Sequence, residues 1–302
     1  MEITTVIIFI KQVISTIMTL LMLMSPAFGG NGTAYAPEKP EEVIMSFSAV
    51  SDIHVETNNP EAYKAFTDIL YGIKAGERND AVVFTGDNVM NGQIPENLFF
   101  YTAVRSALPA DSTFVVSGNH DYGNGEGDFK KFRRNYLINN ALYFGNVLEE
   151  PYYYRVINGC YMIFLSSESN SVNYSTIGEE QYIWLESVIA EAKAENATVF
   201  VFNHHPVDLI NGGTDTRLAD ILSGYNNLLY IHGHIHDQLA ADSFYEQYGV
   251  KSINLPRSSE VVDYEPGDGI VVEVYENEIL VRGRDFITGE WIEGLEYRYP
   301  LG

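Results

Sequence analysis

All seven histidines of this 302-residue chain, His54, His120, His204, His205, His232, His234 and His236, fall in or beside short polar clusters. The clusters are Asp52-x-His54, Gly86-Asp87, Gly118-Asn119-His120-Asp121, His204-His205 and Gly233-His234-x-His236. Histidines placed for packing would not segregate in this way. Imidazole and carboxylate together are ligands for first-row divalent metals. In Asp-x-His and His-x-His the side chains stand two residues apart, so on an extended strand they share a face and can grip one ion. Three carboxylates (Asp52, Asp87, Asp121), the Asn119 amide and several imidazoles exceed what one tetrahedral zinc needs. Two ions sharing a bridging carboxylate use that surplus better. Glycines beside the clusters let the backbone turn sharply and approach an ion or a phosphate closely. Taken alone, Gly118-Asn119-His120-Asp121 also reads as a surface turn; four further clusters shift the balance toward a site.

Each cluster follows an apolar run. Ile44 to Val50 precedes Asp52, Ala81 to Phe84 precedes Asp87, and Phe114 to Val116 precedes Gly118. Thr198 to Phe202 leads into His204, and Leu228 to Ile231 into His232. Helical spacing over Pro60–Ala75, Pro95–Leu108, Phe129–Asn139, Gln181–Ala194 and Thr216–Leu222 separates many of these runs. Asn158-Gly159 between Tyr152–Ile157 and Tyr161–Ser166 signals a hairpin. Strands over Val250–Leu255, Gly269–Tyr275 and Glu278–Arg284 complete a sheet. The alternation is that of an α/β domain, whose ligands gather at the carboxyl ends of strands. Nothing marks a second domain boundary after residue 43.

Composition narrows the partners. Eighteen basic against 41 acidic residues give a net charge of −23, which a nucleic-acid backbone would repel. Cys160, the only cysteine, sits in an apolar run and reads as a buried structural thiol. Residues 1–29 resemble a secretory signal: Lys11, an apolar core from Val13 to Met24, then small residues with cleavage after Gly29 or Ala36. An uncleaved membrane anchor is the alternative, and either reading puts the protein outside the cytoplasm. Residues 30–42 read as a linker, and 43–302 as the globular domain. Oligomeric state is not legible.

The ordered series Asp-x-His, Gly-Asp, Gly-Asn-His-Asp, His and Gly-His-x-His, from about Val50 to Asp237, resembles the calcineurin-like metallophosphoesterase family. The resemblance implies a four-layer α/β/β/α sandwich, two mixed sheets flanked by helices. It implies two divalent ions, Mn, Fe, Zn or Co. Asp52, His54, Asp87 and His236 would hold the first; Asp87 would bridge to a second, completed by Asn119, His204 and His234. A hydroxide bridging the ions would attack phosphorus. His120, oriented by Asp121, would assist the leaving group. His205 reads either as a group that supports a ligand or touches substrate, or as packing before Pro206. His232 reads as structural. Met90 stands where purple acid phosphatases have a Tyr, and His54 is present where they have Gly; both argue against that branch, and the run Asp87-Asn88-Val89-Met90-Asn91-Gly92 resembles the branch of cyclic-nucleotide and other small phosphodiesterases more. The expectation is a phosphodiesterase rather than a phosphatase, acting on a small phosphorylated substrate. A secreted, non-enzymatic binder of a phosphorylated ligand is the alternative. A β-lactamase-like metallohydrolase would need an early His-x-His-x-Asp-His run, which is absent.

Overall fold

A computed structural model describes residues 32–57, 59–259 and 266–302; the segment read as a signal or anchor lies outside the described residues. Strands β1 to β12 are Met45–Val50, Ala81–Thr85, Thr113–Val116, Tyr153–Ile157, Cys160–Phe164, Val199–Phe202, Leu228–His232, Phe244–Gln247, Val250–Asn254, Asp268–Val274, Glu278–Asp285 and Trp291–Pro300. The α-helices α1 to α5 are Pro60–Lys74, Ile94–Ala107, Phe129–Asn139, Glu179–Ala194 and Arg217–Leu222. Two six-stranded sheets result, with orders β12-β11-β10-β1-β2-β3 and β4-β5-β6-β7-β9-β8.

Both sheets are mixed. β1, β2 and β3 run parallel, as do β5, β6, β7 and β9, and antiparallel strands extend the edges. Parallel strands covered on both faces are apolar on both; β1, β2, β3, β5, β6 and β7 are buried at every residue. Their outward faces pack under helices. Phe66, Phe84 and Phe100 cluster between the first sheet and α1 and α2, while Ile163, Leu185 and Ile189 belong to the cluster between the second sheet and α4. Inward faces meet each other: Phe47 lies 4.8 Å from Phe200 and 5.8 Å from Phe202, ring centre to centre. The layers are therefore α/β/β/α. Asn158 and Gly159 both have positive φ, as the expected two-residue hairpin requires.

The segment expected to be a linker packs on this domain. Tyr35 is buried; its hydroxyl meets Ser48 Oγ at 2.9 Å and accepts from Asn79 Nδ2 at 3.0 Å. The Arg284 guanidinium is stacked 4.2 Å from the Tyr35 ring and 4.7 Å from Trp291, and donates to the Thr33 carbonyl. Arg282 and Arg284, basic residues with no evident role in the sequence, thus clamp residues 33–36 to β11 and β12. The pattern could not reveal this, because the partners lie some 250 positions apart. A Tyr35→Ala exchange empties an aromatic site and should cost about 3–5 kcal/mol in denaturant unfolding; a freely solvated linker would cost almost nothing.

A second consequence concerns pH. Asp268 and Asp285 face each other across β10 and β11. Burial, then the Asp285 charge, pushes the Asp268 carboxyl up to about 6. Its favourable contribution is complete below the ordinary carboxylate value and is lost as pH rises through 6. Asp268→Asn should therefore raise the thermal midpoint at pH 8, with the gain shrinking toward pH 4.

Candidate metal centre

The five clusters lie at or just past the carboxyl ends of β1, β2, β3, β6 and β7. β1 and β2 belong to one sheet and β6 and β7 to the other, so the ligand groups meet where the sheets face each other. Two groups of potential ligand atoms result, each with all atoms within 4.8 Å: Asp52, His54, Asp87 and His236; and Asp87, His204 and His234. Asp87 is common to both. In the first, His236 Nε2 lies 2.9 Å from Asp52 Oδ1 and 3.2 Å from His54 Nε2. His54 Nε2 is 3.5 Å from Asp52 Oδ1 and 3.8 Å from Asp87 Oδ2. In the second, His204 Nε2 is 3.1 Å from Asp87 Oδ2.

These residues fit a pair of divalent cations. Ligand atoms about 2.1 Å from a common ion sit about 3.0–3.4 Å apart, close to the observed spacing. His204 Nε2 is buried and makes no aligned hydrogen bond although Asp87 Oδ2 is 3.1 Å away. Asn119 Oδ1 is likewise buried and unpartnered, its Nδ2 being occupied by Asn124 Oδ1 at 3.0 Å. The His204 Nδ1–H donates to the Thr85 carbonyl at 3.1 Å, which turns Nε2 toward the centre.

Electrostatics agree with that inventory. Burial opposes ionisation of Asp52 and Asp87, but His204 and the neighbouring imidazoles outweigh it and hold both carboxyls well below the usual range. Burial would lower His204, yet Asp87 and Asp52 raise it to about 9. Burial keeps His54 and His234 neutral, each lowered to about 4.

The backbone here is unusual. Ten non-glycine residues among those described have positive φ, and five are Asp52, His54, Asp87, His234 and His236. Four of the other five are asparagines, which tolerate the left-handed region. Left-handed conformations at Asp and His cost energy unless surroundings enforce them, and such residues gather at functional sites. The enforcing contacts are visible: Asp52 N donates to Gly86 O, His54 N to Asp87 O, and His234 N to the Asp52 carboxylate. Close approach needs glycine at two points. A Cβ at Gly118 would lie 2.1 Å from Asp87 Oδ1, and one at Gly233 2.2 Å from Asp52 Oδ2.

Two expected roles change. Asp121 does not orient His120. Its Oδ2 accepts from the backbone nitrogens of Gly118 and Asn88 and from Asn88 Nδ2, tying the β2 and β3 loops together. Burial, then the Asp87 charge, raises its carboxyl to about 7. The His120 ring is set instead by the Met90 carbonyl, which accepts from Nδ1 at 2.6 Å. Nothing in the sequence marks this partner, because it is a backbone atom. Nor does His205 face a substrate: it is only 1 % exposed, stacks on His234 at 4.0 Å and points Nε2 at the Val172 carbonyl. It buttresses His234. His232 is engaged on both ring nitrogens, by Gly233 O and the Tyr245 hydroxyl, which leaves no atom for a metal. His120 is different again: partly exposed at 16 %, it brings Nε2 to 4.0 Å from Asp87 Oδ2.

The sequence profile described as calcineurin-like phosphoesterase matches residues 45–238. An uncharacterised metallophosphoesterase of Bacillus subtilis (strain 168), YkoQ, is 26% identical over 201 residues, which are 64% of this chain and 64% of that protein. The chain thus spans under two thirds of that curated relative's length. Among solved structures, a dimetal phosphatase from Danio rerio superposes with a TM-score of 0.57 at 16% identity, covering 86% of this chain and 100% of that one; this likeness is one of fold.

Because the two glycines admit the carboxylates, Gly118→Ala and Gly233→Ala should each bind fewer than two manganese ions per chain by titration calorimetry. Near-normal far-ultraviolet dichroism would separate that loss from unfolding. Full stoichiometry in either variant would contradict the close packing described.

Proposed function

The chain belongs to the calcineurin-like phosphoesterase family, and we propose that it hydrolyses a small phosphodiester at the centre built around Asp87. One observation carries the reading: a buried carboxylate shared by two ligand groups, with the His120 imidazole opening beside it. Asp52, His54, Asp87 and His236 would hold one divalent ion, and Asp87, Asn119, His204 and His234 the other. When bound, such a pair neutralises phosphate oxygens and lowers the pKa of a water poised to attack phosphorus.

The chain's own groups do the rest. His120 stands at the mouth with its ring orientation fixed by Met90 O, so Nε2 can carry a proton to the departing alkoxide. His120 N also donates to Asp87 Oδ1 at 2.9 Å, coupling the position of the acid to that of the shared ligand. Asp121 and Asn88 keep these two loops in register, and His205 braces His234 from behind. Preference for a diester rests on the family likeness, on Met90 and on His54. The same reading has the enzyme exported on its N-terminal apolar segment. Among the described residues no helix is long and apolar enough to cross a membrane.

The test compares bis(p-nitrophenyl) phosphate with p-nitrophenyl phosphate, using manganese-loaded protein with and without chelator. Faster, chelator-sensitive cleavage of the diester supports the reading; preference for the monoester would replace diesterase by phosphatase. His120→Ala should lower kcat about 10²–10⁴-fold on an alkyl ester and less on a p-nitrophenyl ester, whose leaving group needs no proton. Equal losses on both would remove His120 from the acid role.

A further inference from the structure

One surface stretch breaks the charge pattern of the chain. Residues 129–148 hold Lys130, Lys131, Arg133 and Arg134 and not one acid, in a protein of net charge −23. They form α3 and the π-helical turn Asn140–Phe144 that continues it. Phe132, Tyr136, Asn140 and Phe144 are buried at a four-residue spacing. The opposite stripe is Lys131, Arg134, Ile138 and Leu142. Ile138 is 53% and Leu142 71% exposed, and Ile94, at the start of α2, is 65% exposed. These three line one shallow groove of about 280 Å³ with Asn97, Asn139 and Tyr143. Arg133 pairs with Glu150; Lys130, Lys131 and Arg134 are in no ion pair among the described residues. The stripe is therefore cationic at one end and apolar at the other.

We propose that this stripe, with Ile94, docks the domain on an anionic lipid bilayer. Helices that lie in a membrane interface combine basic residues for the headgroups with exposed aliphatic side chains for the acyl boundary. Charge selects the occupant. A bilayer of anionic lipid repels most of this acidic surface and attracts this stretch of four basic residues without an acid, so it also fixes the orientation. The face adjoins the metal centre through both of its loops: Met90, which holds His120, precedes Ile94 by four residues, and Tyr122 packs on Phe129 at 5.1 Å. Docking does not depend on which ester is cleaved, and its test reads no turnover.

The test uses the full chain with Leu142→Cys carrying an environment-sensitive fluorophore. Cys160 is buried, and burial pushes its thiol up to about 12, so it does not compete for label. A label at Ile183→Cys, exposed on α4, is the control for general association through the N-terminal segment. With vesicles of one part phosphatidylglycerol to two parts phosphatidylcholine, emission at position 142 should shift to the blue while that at 183 stays. Combining Lys130→Glu, Lys131→Glu and Arg134→Glu should raise the lipid needed for half the shift at least about tenfold. The proposal is overturned by no shift at 142, by an equal shift at 183, or by an equal shift on pure phosphatidylcholine. It is also overturned by a vesicle-independent shift that grows with protein concentration, which would make the face a contact between copies.

Discussion

Two carboxylates buried to near zero exposure, Asp52 and Asp87, impose the constraint that the rest of the molecule answers. A buried charge without a partner is far too costly to keep. The fold supplies compensation from three strand ends in two sheets, so the ligand groups exist only when the sheets are packed face to face. His204 comes from β6, His234 and His236 from the end of β7, and His54 from beyond β1. The His204 imidazole lies near both, its Nε2 3.1 Å from Asp87 Oδ2 and 3.9 Å from Asp52 Oδ1. A pair of divalent cations would supply compensation with more charge and would satisfy the unpartnered His204 Nε2 and Asn119 Oδ1 as well.

Holding ligands this close requires backbone that strands do not offer. Asp52, His54, Asp87, His234 and His236 all turn into the left-handed region just past their strands. That turn comes just after the strands, where the side chains of the ligand groups lie together. Hydrogen bonds from one loop to the next hold it, and the cost is covered by cores on both faces of each sheet. Gly118 and Gly233 act at the same places for a steric reason, since a methyl group there would overlap Asp87 or Asp52. The outer parts, including the clamp of Tyr35 between Arg284 and Trp291, secure the edge strands that complete the first sheet.

Much of this was legible in the sequence because local patterns carried it. Apolar runs ending in Asp, His and Gly located β1, β2, β3, β6 and β7, and segregation of the histidines located the centre. The two-residue spacing in Asp52-x-His54 and His234-x-His236 predicted one ion for each pair; Asp52 and His54 do share a ligand group, whereas His236 joins them and His234 falls in the other group. The reason offered was incomplete: these residues are not extended strand but left-handed turns, and spacing cannot distinguish the two. Adjacency misled at His120-Asp121, where neighbouring residues point to different partners, and at His205, whose burial depends on the loop carrying Val172. Met90 O and Thr85 O, which orient His120 and His204, are backbone atoms without a side-chain signature. The clamp on residues 33–36 and the strand β12 depend on contacts remote in sequence, beyond any local pattern.

The central claim is that Asp87 is shared by two ions. Anomalous diffraction from manganese-loaded crystals tests it most directly. The account predicts two anomalous peaks, one among Asp52, His54, Asp87 and His236 and the other among Asp87, Asn119, His204 and His234, with Asp87 Oδ2 touching both. A single peak at full manganese loading, or two peaks of which only one contacts Asp87, would contradict it.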